Sequence, residues 1–522
     1  MKNIRVDFSK HKIIQLIVSD YISGSDFLRP FYKYEPSLNS VRSVINDKSK
    51  EKIDRKRLRE VIAEQYSKIR MSDKVEKNIS LLTSEKTFTV TTGHQLNLFT
   101  GPLYFIYKIL TTVQLAERLA KSFPDYNFVP VYWMASEDHD FKEINHIHLF
   151  GEKIEWSGAE AKNFGGPSGK LGTQGVSSLV EIVKKKIEKE EGSERVIELL
   201  SNAYLKHDNL ADATRFLVNE LFGKYGLVVI DANEKQLKKK FTEVMKDDLT
   251  NHSSFNLVDE TSKQLSEKYQ VQVHPREINL FYMTDGSRER IAGDGEKYLR
   301  ELESSPEKFS PNVVLRPLYQ EMLLPNVAVV GGPAEIAYWL QYKKMFEHYN
   351  VNFPVLMLRK SFLFVDDKSA NTMQQLKIDI ENIFLPADEL INKYIAHVTW
   401  KAISLDEEKQ QSERTFNALA KKISSVDSTL QSSAMAEKEK AHDAIERLES
   451  KLRKAEKSRH DVSIQKIKNL KEKLFPEGML QERYENFIPY YLKYKEDFFE
   501  MLLNHGDVFD FKLNVLTEEK TQ

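Results

Sequence analysis

Between residues 86 and 135 the hydrophobic pattern switches from strand to helix and back to strand, which few folds can absorb. KTFTVTT (86–92) is β-branched and apolar, PLYFIYKILTTVQLAERLAK (102–121) reads as a helix, and NFVPVYWMA (127–135) is again extended. Strand, helix and strand joined by short connections form a βαβ unit with parallel strands. The pattern resumes in GLVVID (226–231) with a helix from about Glu234, in VAVVGG (327–332) followed by PAEIAYWLQYKKMF (333–346), and in FPVLML (353–358). The expected fold class is therefore α/β, a doubly wound parallel core over 86–365. Two stretches interrupt it, at about 150–205 and 255–312, the first with a Gly-rich segment (FGGPSGKLGTQG, 164–175) and the second with INLFYMTDG. Residues 1–85 read as helices punctuated by Pro30 and Pro36.

The last third has a different texture. From about 366 to 475 glycine and proline nearly vanish, Pro386 being the exception before Pro476. Phe416, Leu419, Ile423, Val426 and Leu430 step by three and four, as do Ala441, Ile445, Leu448, Leu452 and Ala455. This is a heptad stripe, with a phase slip around SSAMAE (432–437). Two helices of about 40 residues would each reach roughly 60 Å. The pattern predicts an antiparallel coiled-coil hairpin over 366–475, and so narrow a seam on so long a hairpin predicts a homodimer through it. A long helix lying along the enzyme body is the alternative. Residues 476–522, opening with the aromatic-rich FPEGMLQERYENFIPYYLKY (475–494), are expected to pack back on the core.

At 522 residues the chain is long enough for two or three units. A net charge of -1 and a pI near 6.9 give it no electrostatic reason to bind nucleic acid or an acidic membrane. The basic runs RKRLRE (55–60) and KKK (184–186) are interrupted or followed by acids and read as solvated helix faces. With no cysteine, disulfides, thiolate nucleophiles and Cys-ligated zinc are excluded. No signal core and no apolar run near the ~18 residues of a membrane span are present, so a cytoplasmic protein is expected.

Ligands of open parallel sheets bind outside the carboxyl ends of the strands. That rule selects three groups. After the first strand come Gly93, His94, Gln95 and Asn97, and then Thr100, Gly101 and Pro102 open a helix. A glycine bend at a helix start offers N–H groups and a positive dipole end to a phosphate. Neither GxGxxG nor GxxxxGK[ST] occurs. His94 could stabilise phosphoryl charge, or with Asn97 merely fasten the loop. After the second strand comes SEDHD: Glu137, Asp138, His139 and Asp140, with Asn145, His146 and His148 behind. A carboxylate beside His139 could hold it as a general base near neutral pH. These residues read better as a substrate site gripping an ammonium and hydroxyls than as a metal site, because alternate strand residues point apart and HExxH spacing is missing. The third group is the Gly331-Gly332 junction with Glu335 and Tyr338, and upstream of it Asn312, Arg316, Gln320 and Glu321. Arg316 suits a carboxylate or phosphate; a buried ion pair with Glu321 is the alternative.

GHQLNLFTGPLYFIYK, FVPVYWMASEDHDFKEINH, SPNVVLRPLYQE, VGGPAEIAYW and LFPEGMLQERYENF, in that order, resemble the blocks of the BshC family, the cysteine-adding enzymes of bacillithiol biosynthesis. The resemblance runs from about residue 86 to the C-terminus. It implies a Rossmann-like core with two connecting insertions, planned like class I aminoacyl-tRNA synthetases, and a coiled-coil dimerisation domain. It implies a ligase joining the carboxyl of cysteine to the amine of glucosaminyl-malate, with ATP as co-substrate; no metal cofactor is predicted. TTGHQ then matches the synthetase phosphate-binding histidine motif, and SEDHD lies beside it. There are departures. The family accepts Gln as well as His at the position of His94, MSDK (71–74) and LRKS (358–361) match a KMSKS loop only loosely, and without cysteine thiol recognition works otherwise than through a Cys-built zinc site or uses a His/carboxylate metal site. Two rival readings stay open at this point: a nucleotidyl- or phosphotransferase on another sugar acid, and a non-catalytic nucleotide-binding scaffold.

Overall fold

The computed structural model describes residues 1–157, 165–284 and 286–518, with backbone alone at 399–403 and 456–457. Phe164 of the Gly-rich segment and Asp285 of INLFYMTDG thus lie outside the described residues. The chain divides into two compact units, one of residues 3–363 with 481–515, the other of residues 364–480 with both chain ends.

The first unit is built on a five-stranded sheet of β1 (Thr87–His94), β2 (Asn127–Met134), β3 (Val228–Asp231), β4 (Asn326–Gly331) and β5 (Val355–Leu358). Their spatial order is β5-β4-β1-β2-β3, and every neighbouring pair is parallel. The helix α1 (Tyr104–Ser122) carries the chain from β1 to β2. β1 and β2 are buried along nearly their whole length, as strands covered on both faces must be. Phe88 and Val90 face an apolar layer with Val41, Ile45, Leu115, Leu119 and Val330. Residues 1–85 thus contribute core side chains as well as surface helices. They also begin with a strand, Lys2–Val6, which the helical reading omits.

Both insertions exist. Between β2 and β3 lie a small hairpin (His146–Leu149 with Glu152–Glu155) and helices Ser177–Ile187, Ser193–Leu205 and Leu210–Phe222. Between β3 and β4, Leu280–Met283 pairs antiparallel with both Arg288–Arg290 and Phe309–Pro311. Helices α2 (Arg316–Leu323) and α3 (Pro333–Trp339) flank β4. Of the expected C-terminal segment 476–522, residues 481–515 belong to this unit, where Asn486 Nδ2 donates to the carbonyls of Phe99 and Gly101 at 2.9 and 2.6 Å, while residues 476–480 group with the other unit.

The second unit is helical. α4 (Ala387–Ile403), α5 (Asp406–Ser424), α6 (Gln431–Arg459) and α7 (Asp461–Leu474) replace the two 40-residue helices expected. α5 and α6 form the hairpin, crossed by Lys409–Glu449 and Lys438–Glu413 ion pairs at 2.6 and 2.7 Å. Its turn falls at Ser425–Leu430, just ahead of the expected phase slip, where Asp427 accepts the N–H of Thr429 at 2.8 Å. α4 and α7 pack at its base, α4 against both α6 and α7. Part of the apolar stripe stays exposed in the single chain, at Leu419, Val426, Leu430 and Leu448. Among the described residues no helix is long and apolar enough to cross a membrane.

Candidate active site at the switch point of the sheet

The strand order reverses between β1 and β4, so their carboxyl ends, His94 and Gly331, bracket the crevice where such sheets bind ligands. A cavity of about 790 Å³ opens there, with Gly93, Asp138, Asn312, Arg316 and Gly332 in its walls. That volume suits a small organic substrate, for which about 300–1,000 Å³ is usual.

Cations gather around Gly93. A Cβ on Gly93 would stand 3.2 Å from Arg316 Nη1, so the glycine lets the guanidinium lie against the strand end. Arg316 Nη1 donates to Gln320 Oε1 at 3.1 Å, and no carboxylate pairs with it among the described residues. Lys108, on the buried side of α1, donates to the Gly93 carbonyl and pairs with Glu335 at 2.8 Å. Burial lowers the Lys108 pKa while Glu335 works to raise it. The same Glu335 oxygen accepts the Gly332 N–H at 2.8 Å. Arg359 lies behind Gly332 in a bidentate pair with Glu482 (Nη2–Oε1 2.6 Å, Nη1–Oε2 3.0 Å). His94 is wedged between the rings of Tyr104 and Phe105, with centroids 5.3 and 5.2 Å away. Burial first, then Lys108 and Arg359, hold its pKa well below the ordinary histidine value. His94 is therefore neutral, and it can offer a hydrogen bond but no charge.

On the other wall the SEDHD residues take different partners. Glu137 pairs with the buried Lys238 at 2.5 Å and accepts from Ser310 Oγ at 2.6 Å, which ties β2 to the antiparallel insertion. Asp138 accepts Gln95 Nε2 at 2.7 Å and the N–H of His139 at 2.7 Å. His139 Nδ1 lies 3.0 Å from Arg288 Nη1 and 3.7 Å from Asp138. Desolvation and Arg288 lower its pKa against the opposite pull of Asp138 and Asp140. Asp140 is exposed at the rim, and partial desolvation raises the pKa of the Glu143 carboxyl nearby.

Comparison with known proteins agrees with this layout. Residues 1–360 match the Rossmann-like N-terminal domain of bacillithiol biosynthesis BshC, and residues 362–518 match its C-terminal coiled-coil domain. The chain belongs to the BshC family. Proteins named "Putative cysteine ligase BshC" include one from Flavobacterium johnsoniae, 40% identical over 517 residues (96% of this chain, 97% of that one). Another, from Christiangramia forsetii, is 39% identical over 518 residues (96% of each). The one from Bacillus cytotoxicus is 26% identical over 512 residues (93% of this chain, 95% of that one).

In this BshC-family chain the cavity brings together Gly93, His94, Gln95, Glu137, Asp138, His139, Asp140, Asn312, Arg316, Gly332, Glu335 and Tyr338. Several expected site residues do not line it. Asn97, Thr100 and Gly101 are packed into the fold: Asn97 donates to the Glu143 carbonyl at 3.2 Å, and Gly101 receives Asn486. The helix start they were expected to offer to a phosphate is occupied by the chain itself, since the Leu103 N–H donates to the Glu485 carbonyl at 2.8 Å. Gly331 is buried under the side chain of Glu335. Asn145 fastens the 146–155 hairpin through the Trp156 carbonyl. Gln320 and Glu321 are fully buried; Glu321 Oε1 accepts from Gln320 and Asn326 at 2.9 and 2.8 Å, not from Arg316. Burial raises the Glu321 pKa to about 7.

The charged residues that sequence reasoning missed are mostly cations: Lys108, Arg276, Arg288, Arg290, Arg359 and Arg483 also line the cavity. Lys108 had left a signal, as a lone charge within the apolar run LYFIYKILTTV. Arg276, Arg288 and Arg290 come from an insertion whose sequence shows no strand-end rule, and Arg483 arrives from the far C-terminus.

Proposed function

We propose that this BshC-family chain is a ligase that joins the carboxyl of cysteine to the amine of glucosaminyl-malate, using ATP. A carboxylate and an amine do not condense in water. The carboxylate oxygen must first attack phosphorus, expelling ADP or pyrophosphate; the amine then attacks the carbonyl carbon and expels phosphate or AMP. Both substrates of the second half carry anionic groups, and so does ATP. The observation that carries the reading is the Arg316 guanidinium, at the switch point beside Gly93 with no carboxylate partner among the described residues. It is a receptor for an incoming phosphate or carboxylate. On the opposite wall Asp140, whose carboxylate makes no ion pair among the described residues, is the group to receive an ammonium and Asp138 its neighbour. The neutral His94 contributes a hydrogen bond to bound phosphate. The exposed half of the coiled-coil stripe serves homodimer formation, and the reaction takes place in the cytoplasm.

The test is direct. Purified protein with cysteine, glucosaminyl-malate and ATP should yield bacillithiol by mass spectrometry, and a deletion strain should lose bacillithiol and accumulate glucosaminyl-malate. Normal bacillithiol in that strain, with no accumulation, overturns the proposal.

A further inference from the structure

We propose that His139 acts as a neutral hydrogen-bond donor through Nε2–H to an oxygen that gains negative charge in the cavity, and that Arg288 is the positioning residue that fixes this tautomer. The catalytic half of this inference rests on the ligase reading above; the tautomer does not. A carboxylate at Nδ1 would favour a proton there and leave Nε2 basic, which is the arrangement of a general base. The structure puts a guanidinium at that nitrogen instead. Arg288 Nη1 stands 3.0 Å from His139 Nδ1, and a guanidinium has donors only. Nδ1 must accept, so the ring's one proton sits on Nε2. The lone pair that a general base would use is already engaged.

Arg288 is held rigidly for this task. Its Nε donates to Ser310 Oγ at 3.1 Å and its Nη2 to the Pro311 carbonyl at 3.4 Å. Its Cζ lies 3.8 Å from the centroid of the Phe281 ring, which also meets the His139 ring at 5.5 Å. Ser310 is fixed in turn by Glu137, itself neutralised by Lys238. Asp138 does not compete for Nδ1, since its Oδ1 is spent on the N–H groups of His139 and Asp140, and its Oδ2 on Gln95. The groups acting on the imidazole are Arg288 and Arg290, which disfavour its protonation, and Asp138 and Asp140, which favour it. Burial and the two arginines prevail, so the ring is uncharged at neutral pH. A neutral imidazole aimed at a developing oxyanion is an established catalytic device. Here the oxygen is the carbonyl oxygen of the activated cysteine as the amine attacks.

Two measurements decide the matter. In ¹⁵N-histidine-labelled full-length protein, long-range ¹H–¹⁵N correlation, with the His139 signals assigned by their loss in H139Q, should show Nδ1 bare and Nε2 protonated at neutral pH. A proton on Nδ1, or on both nitrogens, overturns the inference without touching the ligase reading. Kinetically, H139A should lower kcat by about 100-fold, the usual scale for losing one such donor. H139Q, which keeps N–H donors but has no basic nitrogen, should stay within about tenfold of the wild type. Glutamine as inactive as alanine overturns the donor role. R288Q should move the acid limb of kcat to higher pH, because the cation that disfavours imidazolium is gone while Asp138 and Asp140 remain; an unmoved limb counts against Arg288. If the wild type ligates no cysteine, the ligase reading falls while the tautomer measurement still stands.

Discussion

The Gly93–Gly101 loop and the Gly331–Pro333 turn follow one local recipe, a buried strand, glycine, and a proline-started helix, yet the fold uses them differently. At the first junction the helix start is turned into the protein. Phe99 and Thr100 take positive φ (48° and 73°), Gly101 follows at φ 67°, and Asn486 ties the loop to the C-terminal segment. At the second junction the turn faces the cavity, but its Gly332 N–H is satisfied by Glu335. A helix start binds an anion only when its N–H groups are both unspent and exposed to the ligand. At the first junction the Leu103 N–H is spent on the Glu485 carbonyl, and at the second the Gly332 N–H is spent on Glu335. On the proposed ligase reading, anion recognition falls first to the side chain of Arg316, which has no carboxylate partner among the described residues.

The contrast can be broken at several points. The largest effect is expected from Glu482→Ala, which strands the buried Arg359 behind the second junction and should cost about 3–5 kcal/mol of stability by denaturant titration. Gly101→Ala comes next. Its backbone (φ 67°, ψ -146°) is open essentially to glycine alone, and a Cβ would meet Asn97 Cβ at 2.7 Å, so a loss of about 1–3 kcal/mol or more is expected. A stable G101A protein would mean the first junction is not fixed as described. Arg316→Ala should leave the fold intact and reduce affinity for the anionic substrate by about 10–100-fold, corresponding to about 1.5–3 kcal/mol for hydrogen bonds to a charged group. Calorimetry showing unchanged affinity would return anion binding to the backbone.

Glu321 tests the buried network behind Arg316. Its folded pKa of about 7 lies above the ordinary glutamate value of 4.5, so the unfolded chain releases this proton first. Its contribution to stability is complete below about pH 4.5 and is lost as pH rises through about 7. Glu321→Gln should flatten the stability profile in that window, and an unchanged slope would assign the pH dependence elsewhere. The smallest effect belongs to Gly332→Ala. Its φ is -76°, and an added Cβ meets Glu335 Oε2 and Arg359 Nε at 3.5 and 3.6 Å, which are ordinary contacts. Stability should change by within about 0.5 kcal/mol, setting it against Gly101 by a clear margin.

Much of this protein is legible along the chain because its causes are local. The β-branched run at 86–92, the apolar helix after it and the extended 127–135 segment point to a parallel βαβ unit, which buries both strands under the crossover helix. The switch-point rule then finds Gly93, His94, Asp138, His139 and Gly332 without coordinates. The heptad stripe likewise announces the helical unit, although its breaks near Ser404 and His460 depend on packing that a repeat pattern does not encode. Charge pairing was not legible. Asp138 next to His139 reads as a base and its orienter, but the partner that reaches Nδ1 is Arg288, 149 residues away. An Arg316–Glu321 ion pair is one reading of the sequence, but Gln320 accepts from Arg316 and donates to Glu321 instead. The sequence by itself determines which strand ends form the crevice, because secondary structure and burial follow from nearest-neighbour chemistry. Only the tertiary structure decides which hydrogen bonds remain unspent there, because donors and acceptors from Glu482, Asn486 and Arg288 arrive from distant segments and settle which groups are left for a ligand.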